Sequence, residues 1–225
     1  MKLLHIDSSI SGEQSVSRQL TAGIVARLKQ AIPDLEIVYR DVVAEPVPIH
    51  SEALQNLKIK AWSEGAALGA EAGQLQPVDA PGSRAAEGEL RHDFAAINAV
   101  LDEFVAADIV VIGAPMYNFG IPSQLKAWID CLAAPGKTFR YSEAGVEGLC
   151  GDKRVIVASS RGGVYSAPSP MAVLDHQESY LTGFFGFIGV SDLEFVRAEG
   201  LNLGAEQRQH ALDSALAEVA MLKAA

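Results

Sequence analysis

The chain has 225 residues, 49% of them hydrophobic, which is enough for one substantial core and gives no reason to expect a second domain within 1–225. Its 18 Lys and Arg against 28 Asp and Glu leave a formal charge of -10, so nucleic acid and anionic membrane surfaces are electrostatically poor partners. Cys131 and Cys150 form no CxxC pair or His/Cys cluster, and His5, His50, His92 and His210 form no metal motif with one another. The opening turns polar after six residues and no later run approaches a membrane span, so a cytoplasmic, reducing location is the expectation.

In chain order, Leu3, Leu4 and Ile6 predict a strand that ends at Asp7 and runs into a hydroxyl-rich loop. Leu20, Ile24, Leu28 and Ile32 recur every fourth residue, which predicts a helix from near Ser17 to just before Pro33, capped by Ser15 or Ser17. Residues 35–39 read as a second strand. Residues 107–114 read as a third, and their unbroken apolar run fits a parallel strand covered on both faces.

Between these two strands, residues 51–62 are compatible with a helix, 65–89 are rich in Gly, Ala and Pro, and 92–106 are amphipathic. The middle part reads as an insertion or mobile excursion. After the third strand, Leu125, Ile129 and Leu132, with Trp128 beside them, form the buried stripe of a helix that Pro122 opens. Residues 154–158 and 193–196 give two further strands, and Leu212, Leu216, Val219 and Leu222 predict a closing helix. The alternation implies a doubly wound α/β sheet, whose strand order the pattern alone does not fix.

Three loops that follow strands carry ligand-competent residues. The first offers Ser9, Ser15 and Ser17 near a helix N-terminus, suited to a phosphate or other anion but, taken alone, more often ordinary caps and turn residues; neither GxGxxG nor GxxxxGK[ST] is present. The second holds Met116, Tyr117, Asn118 and Phe119, which can cover a flat ring and read its polar edge, although Met116 and Phe119 singly are also common packing residues. In the third, Ser160, Arg161, Gly162 and Gly163 permit close backbone approach, and Arg161 is either a phosphate ligand or a surface ion pair. Joint placement after three strands favours a flat cofactor with a phosphate end over three unrelated turns.

With SSISGEQSVSRQL, APMYNFGIPSQLKAWID, TFRY at 138–141, SSRGG at 159–163 and GFIGVSDLEFVRAEG at 186–200 in this order, the chain resembles the FMN-dependent NADH-azoreductases, also described as FMN-dependent NADH:quinone oxidoreductases, of the flavodoxin-like superfamily. The resemblance implies a flavodoxin-like five-stranded parallel sheet of order 2-1-3-4-5. It also implies that Ser9 and Ser15, Val16 and Ser17 hold the FMN phosphate and ribityl end, that Met116, Tyr117, Asn118 and Phe119 flank the ring, and that Ser160, Arg161, Gly162 and Gly163 face the cofactor chiefly through backbone. Tyr141 and Tyr165 would line the substrate pocket, Tyr141 reaching a partner subunit of a homodimer. Tyr165 stands where some members carry His, and the 65–89 excursion is longer than the compact family pattern.

The implied reaction is two-electron transfer from NADH or NADPH through FMN to a quinone or azo compound at an overlapping site, with no side-chain nucleophile. Two other readings compete with it. One is a non-enzymatic flavodoxin-like electron-transfer protein, whose acidic surface would dock a redox partner. The other is a hydrolase built from Ser8 or Ser160 with His176 and an Asp, although no GxSxG elbow is present.

Overall fold

A computed structural model describes residues 1–63 and 84–223. From the N-terminus it runs β1 (Lys2–Asp7), α1 (Val16–Ala31), β2 (Glu36–Asp41), α2 (Glu52–Ser63), α3 (Arg84–Ala106) and β3 (Ile109–Pro115). There follow α4 (Ser123–Leu132), β4 (Phe139–Ser142), β5 (Gly145–Gly148), β6 (Arg154–Ser160), α5 (His176–Phe187), β7 (Asp192–Ala198) and α6 (Ala205–Met221). Five strands form one parallel sheet in the order β2-β1-β3-β6-β7, while β4 and β5 pair as a separate antiparallel hairpin. Counting only the strands of the main sheet, this is the expected order 2-1-3-4-5.

The continuous apolar runs arise because alternate residues of each central strand enter opposite cores. Leu4, Ile6, Val110, Ile112, Val155 and Val157 pack toward α3, α4 and α5, whereas Leu3, Val111, Ile156 and Ala158 pack toward α1 and α6. Burying both faces gives each of these Leu, Ile and Val side chains roughly 1.5–3 kcal/mol of favourable transfer free energy. Phe104 and Trp128 meet edge to face at 6.1 Å and join α3 to α4. Leu125, Trp128, Ile129 and Leu132 are all buried, so the stripe expected for that helix is present, with Trp128 inside it rather than beside it.

Other expectations shift. Pro122 is the residue that caps α4 and not its first helical position. The long connection from β2 to β3 contains α2, as expected, but α3 begins at Arg84, so the last residues of the 65–89 excursion are helical; residues 64–83 lie outside those described. Among the described residues no helix is long and apolar enough to cross a membrane.

The β4–β5 hairpin is held by a backbone contact that leaves no room for side chains. A Cβ on Gly148 would lie 2.1 Å from the Gly189 nitrogen, and Cys150 N–H donates to the Ile188 carbonyl at 2.8 Å. The hairpin is thereby fixed to the end of α5.

Candidate cofactor site at the carboxyl edge of the sheet

Parallel strands bring their C-terminal ends to one edge, and the loops after β1, β3 and β6 meet there. Ser15 caps α1, its Oγ accepting from Arg18 N–H at 3.3 Å and lying 3.0 Å from Ser17 Oγ. Ser9 Oγ accepts from Ser11 N–H at 3.2 Å. Val16 is buried in the α1 core, so only its backbone N–H remains available to a ligand.

Beneath this loop lies a polar cluster that sequence reasoning missed. Arg18 Nη2 donates to the Ser9 carbonyl at 2.9 Å and pairs with Asp41 at 2.7 Å, while Nη1 donates to the Tyr39 hydroxyl at 3.1 Å. Asp7 is buried and accepts from Thr21 at 2.9 Å and Tyr39 at 3.2 Å; His5 Nε2 lies 3.5 Å away, at ion-pair distance but without hydrogen-bond alignment. Burial works to raise the Asp7 carboxyl, but His5, Thr21 and Arg18 together outweigh it and hold the group below the usual carboxylate value. Gly113 of β3 faces this carboxylate, and a Cβ there would lie 2.7 Å from Asp7 Oδ1.

The loop after β3 is a tight turn in which Tyr117 and Gly120 exchange backbone hydrogen bonds of 3.0 and 3.1 Å. Its central residues have positive φ, 48° at Asn118 and 72° at Phe119, the type I′ pattern in which the second position is ordinarily Gly. A strained Phe at a ligand-facing turn is a functional signal. Asn118 and Phe119 are exposed and Met116 half-buried in this turn at the sheet edge. Tyr117 behaves differently, since its hydroxyl accepts from Ile10 N–H at 3.2 Å and lies 3.5 Å from Ser9 Oγ. It ties the β3 loop to the β1 loop.

Arg161 requires correction, because its side chain is neither a phosphate ligand nor a surface ion pair. The guanidinium is fully buried, donates to Ser159 Oγ at 2.9 Å and Gln177 at 3.2 Å, and pairs with Asp175 at 3.0 Å, Glu199 at 3.1 Å and Glu178. Asp175 caps α5, and Glu199 accepts from the N–H groups of Tyr165 and Ser166 at 2.8 and 3.1 Å. Burial opposes ionisation of Glu199, but these donors and Arg161 hold its carboxyl below the usual value. Arg161 therefore shapes the loop from within. Ser160 is buried at its start, and the N–H groups of Gly162 and Gly163 have no acceptor among the described residues.

Tyr165 meets Phe119 edge to face at 6.2 Å and so joins the β6 loop to the ring-covering turn. Tyr141 stands apart on the hairpin, 74% exposed. Ser8 Oγ donates to the Gly113 carbonyl at 2.6 Å, and no Ser–His hydrogen bond occurs among the described residues, which leaves the hydrolase reading without its nucleophile and base. Burial pushes the Cys131 thiol to about 12 and Cys150 to about 11, so neither is a thiolate at neutral pH. No metal-binding group of His, Cys, Asp and Glu occurs among the described residues.

These groups fit an elongated ligand with an anionic end and a flat, polar-edged ring. Helix N–H groups and serines converge at one end; Phe119, Met116, the Asn118 amide and the two glycine N–H groups lie at the other.

The sheet order and this carboxyl-edge site define a flavodoxin-like α/β protein, and residues 1–222 match the family described as having a flavodoxin-like fold. The chain is 55% identical over 96% of its length to an FMN-dependent NADH:quinone oxidoreductase of Sinorhizobium fredii, covering 93% of that protein. It is 52% identical to another of Methylocella silvestris, with 100% of both chains covered. Among solved structures, a Bacillus anthracis azoreductase superposes with a TM-score of 0.81 at 30% identity, with 98% of this chain and 97% of that one covered. The chain belongs to the FMN-dependent NADH:quinone oxidoreductase and azoreductase family.

Proposed function

We propose that this protein is an FMN-dependent NAD(P)H oxidoreductase that reduces quinones and azo compounds. The observation that carries the reading is the convergence of the loops after β1, β3 and β6 on one edge, with phosphate-type donors at one end and a strained aromatic turn at the other. Ser9, Ser15 and Ser17, with the first N–H groups of α1, would hold the phosphate and ribityl end. Met116, Asn118 and Phe119 would flank the ring, and Gly162 and Gly163 would donate to it through backbone. Tyr117 and Arg161 serve the site by fixing its loops.

Bound FMN would supply the redox chemistry, accepting two electrons from NADH or NADPH and passing two to the acceptor. The protein's own part is to orient the partners and exclude water. Beside the aromatic turn, an open cavity of about 480 Å³ is lined by Gly120, Ile121, Lys126, His176, Ser179 and Tyr180. It offers a flat acceptor an apolar wall with few polar anchors.

A homodimer is part of the same reading, supported by an exposed apolar cluster. Tyr141 is 74% exposed, Val146 49% and Phe187 41%, and Phe139 packs against Tyr141 and Phe187 at 5.5 and 4.8 Å. Light scattering should give twice the 23.8 kDa chain mass; the chain mass itself would refute the dimer. Residence in a reducing compartment also belongs to this reading, and both cysteines are buried free thiols.

The functional test is steady-state oxidation of NADH and NADPH by FMN-loaded protein with a benzoquinone or azo dye. Parallel double-reciprocal lines are expected as donor and acceptor are varied. Absence of turnover with every pair would remove the reading in favour of an electron carrier served by a protein reductant.

A further inference from the structure

We infer that Arg18 is a positioning residue for the phosphate end of the cofactor, acting by clamping the loop and not by supplying positive charge. The inference rests on the FMN reading above. Arg18 sits in the first turn of α1, where the helix dipole disfavours a cation, and where an arginine beside a serine-rich loop would ordinarily be taken for an anion ligand.

Its geometry argues otherwise. The side chain is 17% exposed, its Nε is buried without a hydrogen-bond partner among the described residues, and both terminal nitrogens are already engaged: Nη2 with the Ser9 carbonyl and Asp41, Nη1 with the Tyr39 hydroxyl and, at 3.7 Å, Asp7. Two carboxylates face one guanidinium, so the cluster presents no net positive field to a phosphate. What Arg18 provides is a fixed Ser9 peptide, tied through one planar fork to the ends of both β1 and β2. Tyr117 holds the same Ser9–Ile10 peptide from its other edge, through Ile10 N–H at 3.2 Å. With both sides of the loop restrained, the Ser9 hydroxyl and the α1 N-terminus keep the mutual placement that an anion needs.

Positioning and charge predict opposite signs for Asp41→Asn. Removing that carboxylate makes the local field more favourable to a phosphate, but it releases the fork that holds Ser9. The experiment measures dissociation constants of FMN and riboflavin by flavin fluorescence for wild type, Arg18→Gln, Arg18→Lys and Asp41→Asn, with the thermal midpoint of each apoprotein recorded alongside. Riboflavin lacks the phosphate, so a lesion confined to the phosphate loop changes the ratio of the two constants, whereas general loosening weakens both flavins alike.

Arg18→Gln is expected to weaken FMN on the order of tenfold while riboflavin changes by less than about twofold. Arg18→Lys should resemble it, because one ammonium cannot span Ser9, Asp41 and Tyr39. Asp41→Asn should weaken FMN as well. Equal weakening of both flavins, unchanged FMN binding in Arg18→Gln and Arg18→Lys, or tighter FMN binding by Asp41→Asn would overturn the inference. Should Arg18→Gln fail to fold, Arg18→Lys and Asp41→Asn decide on the same criteria. Wild-type protein that binds neither flavin would overturn the functional reading and this inference with it, whereas wild-type binding with an unchanged ratio in the variants removes only the role of Arg18.

Discussion

Two arginines at the carboxyl edge of the sheet are built on the same chemistry and do different work. Arg161 is entirely enclosed and gathers Asp175, Glu178 and Glu199, joining the β6 loop to the start of α5 and the end of β7. Arg18 keeps a sliver of exposure, gathers Asp7 and Asp41, and spends one bond on the carbonyl of a residue assigned to the cofactor. The first is a fold-defining cross-link, and the second is a restraint on a loop. The difference teaches that a cation beside a ligand loop is assigned by counting where its donors go, not by its proximity to the ligand.

Replacing Arg161 with Gln should give the largest effect, because it leaves Asp175 and Glu199 without their cation around a buried position, while Glu178 keeps Arg197 at 2.6 Å. A loss of roughly 3–5 kcal/mol is expected from denaturant unfolding, with binding of both flavins lost together. Stability within about 1 kcal/mol of wild type would show that the acids relax into water and that the cluster is not a cross-link.

Acid sharpens the contrast from the other side. The Asp7 carboxyl is held low in the folded state, so its contribution is fully present above the unfolded value of about 3.9 and is lost as pH falls through the folded value. Glu199 is held low in the same sense. Thermal midpoints followed from pH 6 to about 3 should therefore decline at the acid end. Asp7→Asn should show a shallower decline than wild type; an identical slope would mean that Asp7 is not the titrating partner.

The smallest expected effect is at the aromatic turn. Phe119→Gly relieves a φ of 72° at a position that favours Gly, a gain of about 1 kcal/mol that offsets the lost contact with Tyr165. The thermal midpoint should be held or slightly raised while quinone turnover falls. A clear drop in the midpoint would make Phe119 a packing residue.

The central strands were legible because burial on both faces writes itself as unbroken apolar runs, and α1 because Leu20, Ile24 and Leu28 repeat at helical spacing above a Ser cap. The hairpin was not legible. Its strands are four residues each, mostly exposed, and its placement depends on a Gly148–Gly189 contact between segments far apart in sequence. Helix α5 was hidden by Gly183 in its interior, Gly186 in its last turn and only three buried positions, Gln177, Leu181 and Phe185. The site loops could be located from their positions after strands, but the role of Arg161 depends on acids 14 to 38 residues away, and that of Arg18 on the ends of β1 and β2. Only the folded sheet edge brings those charges together.

The central claim is tested most directly by anaerobic stopped-flow absorbance of the FMN-reconstituted protein, mixed first with NADH or NADPH and then with a benzoquinone. The account predicts rapid bleaching of the flavin band in the first mix and rapid recovery in the second. Slow bleaching with both nicotinamides would contradict it and point to a carrier reduced by another protein.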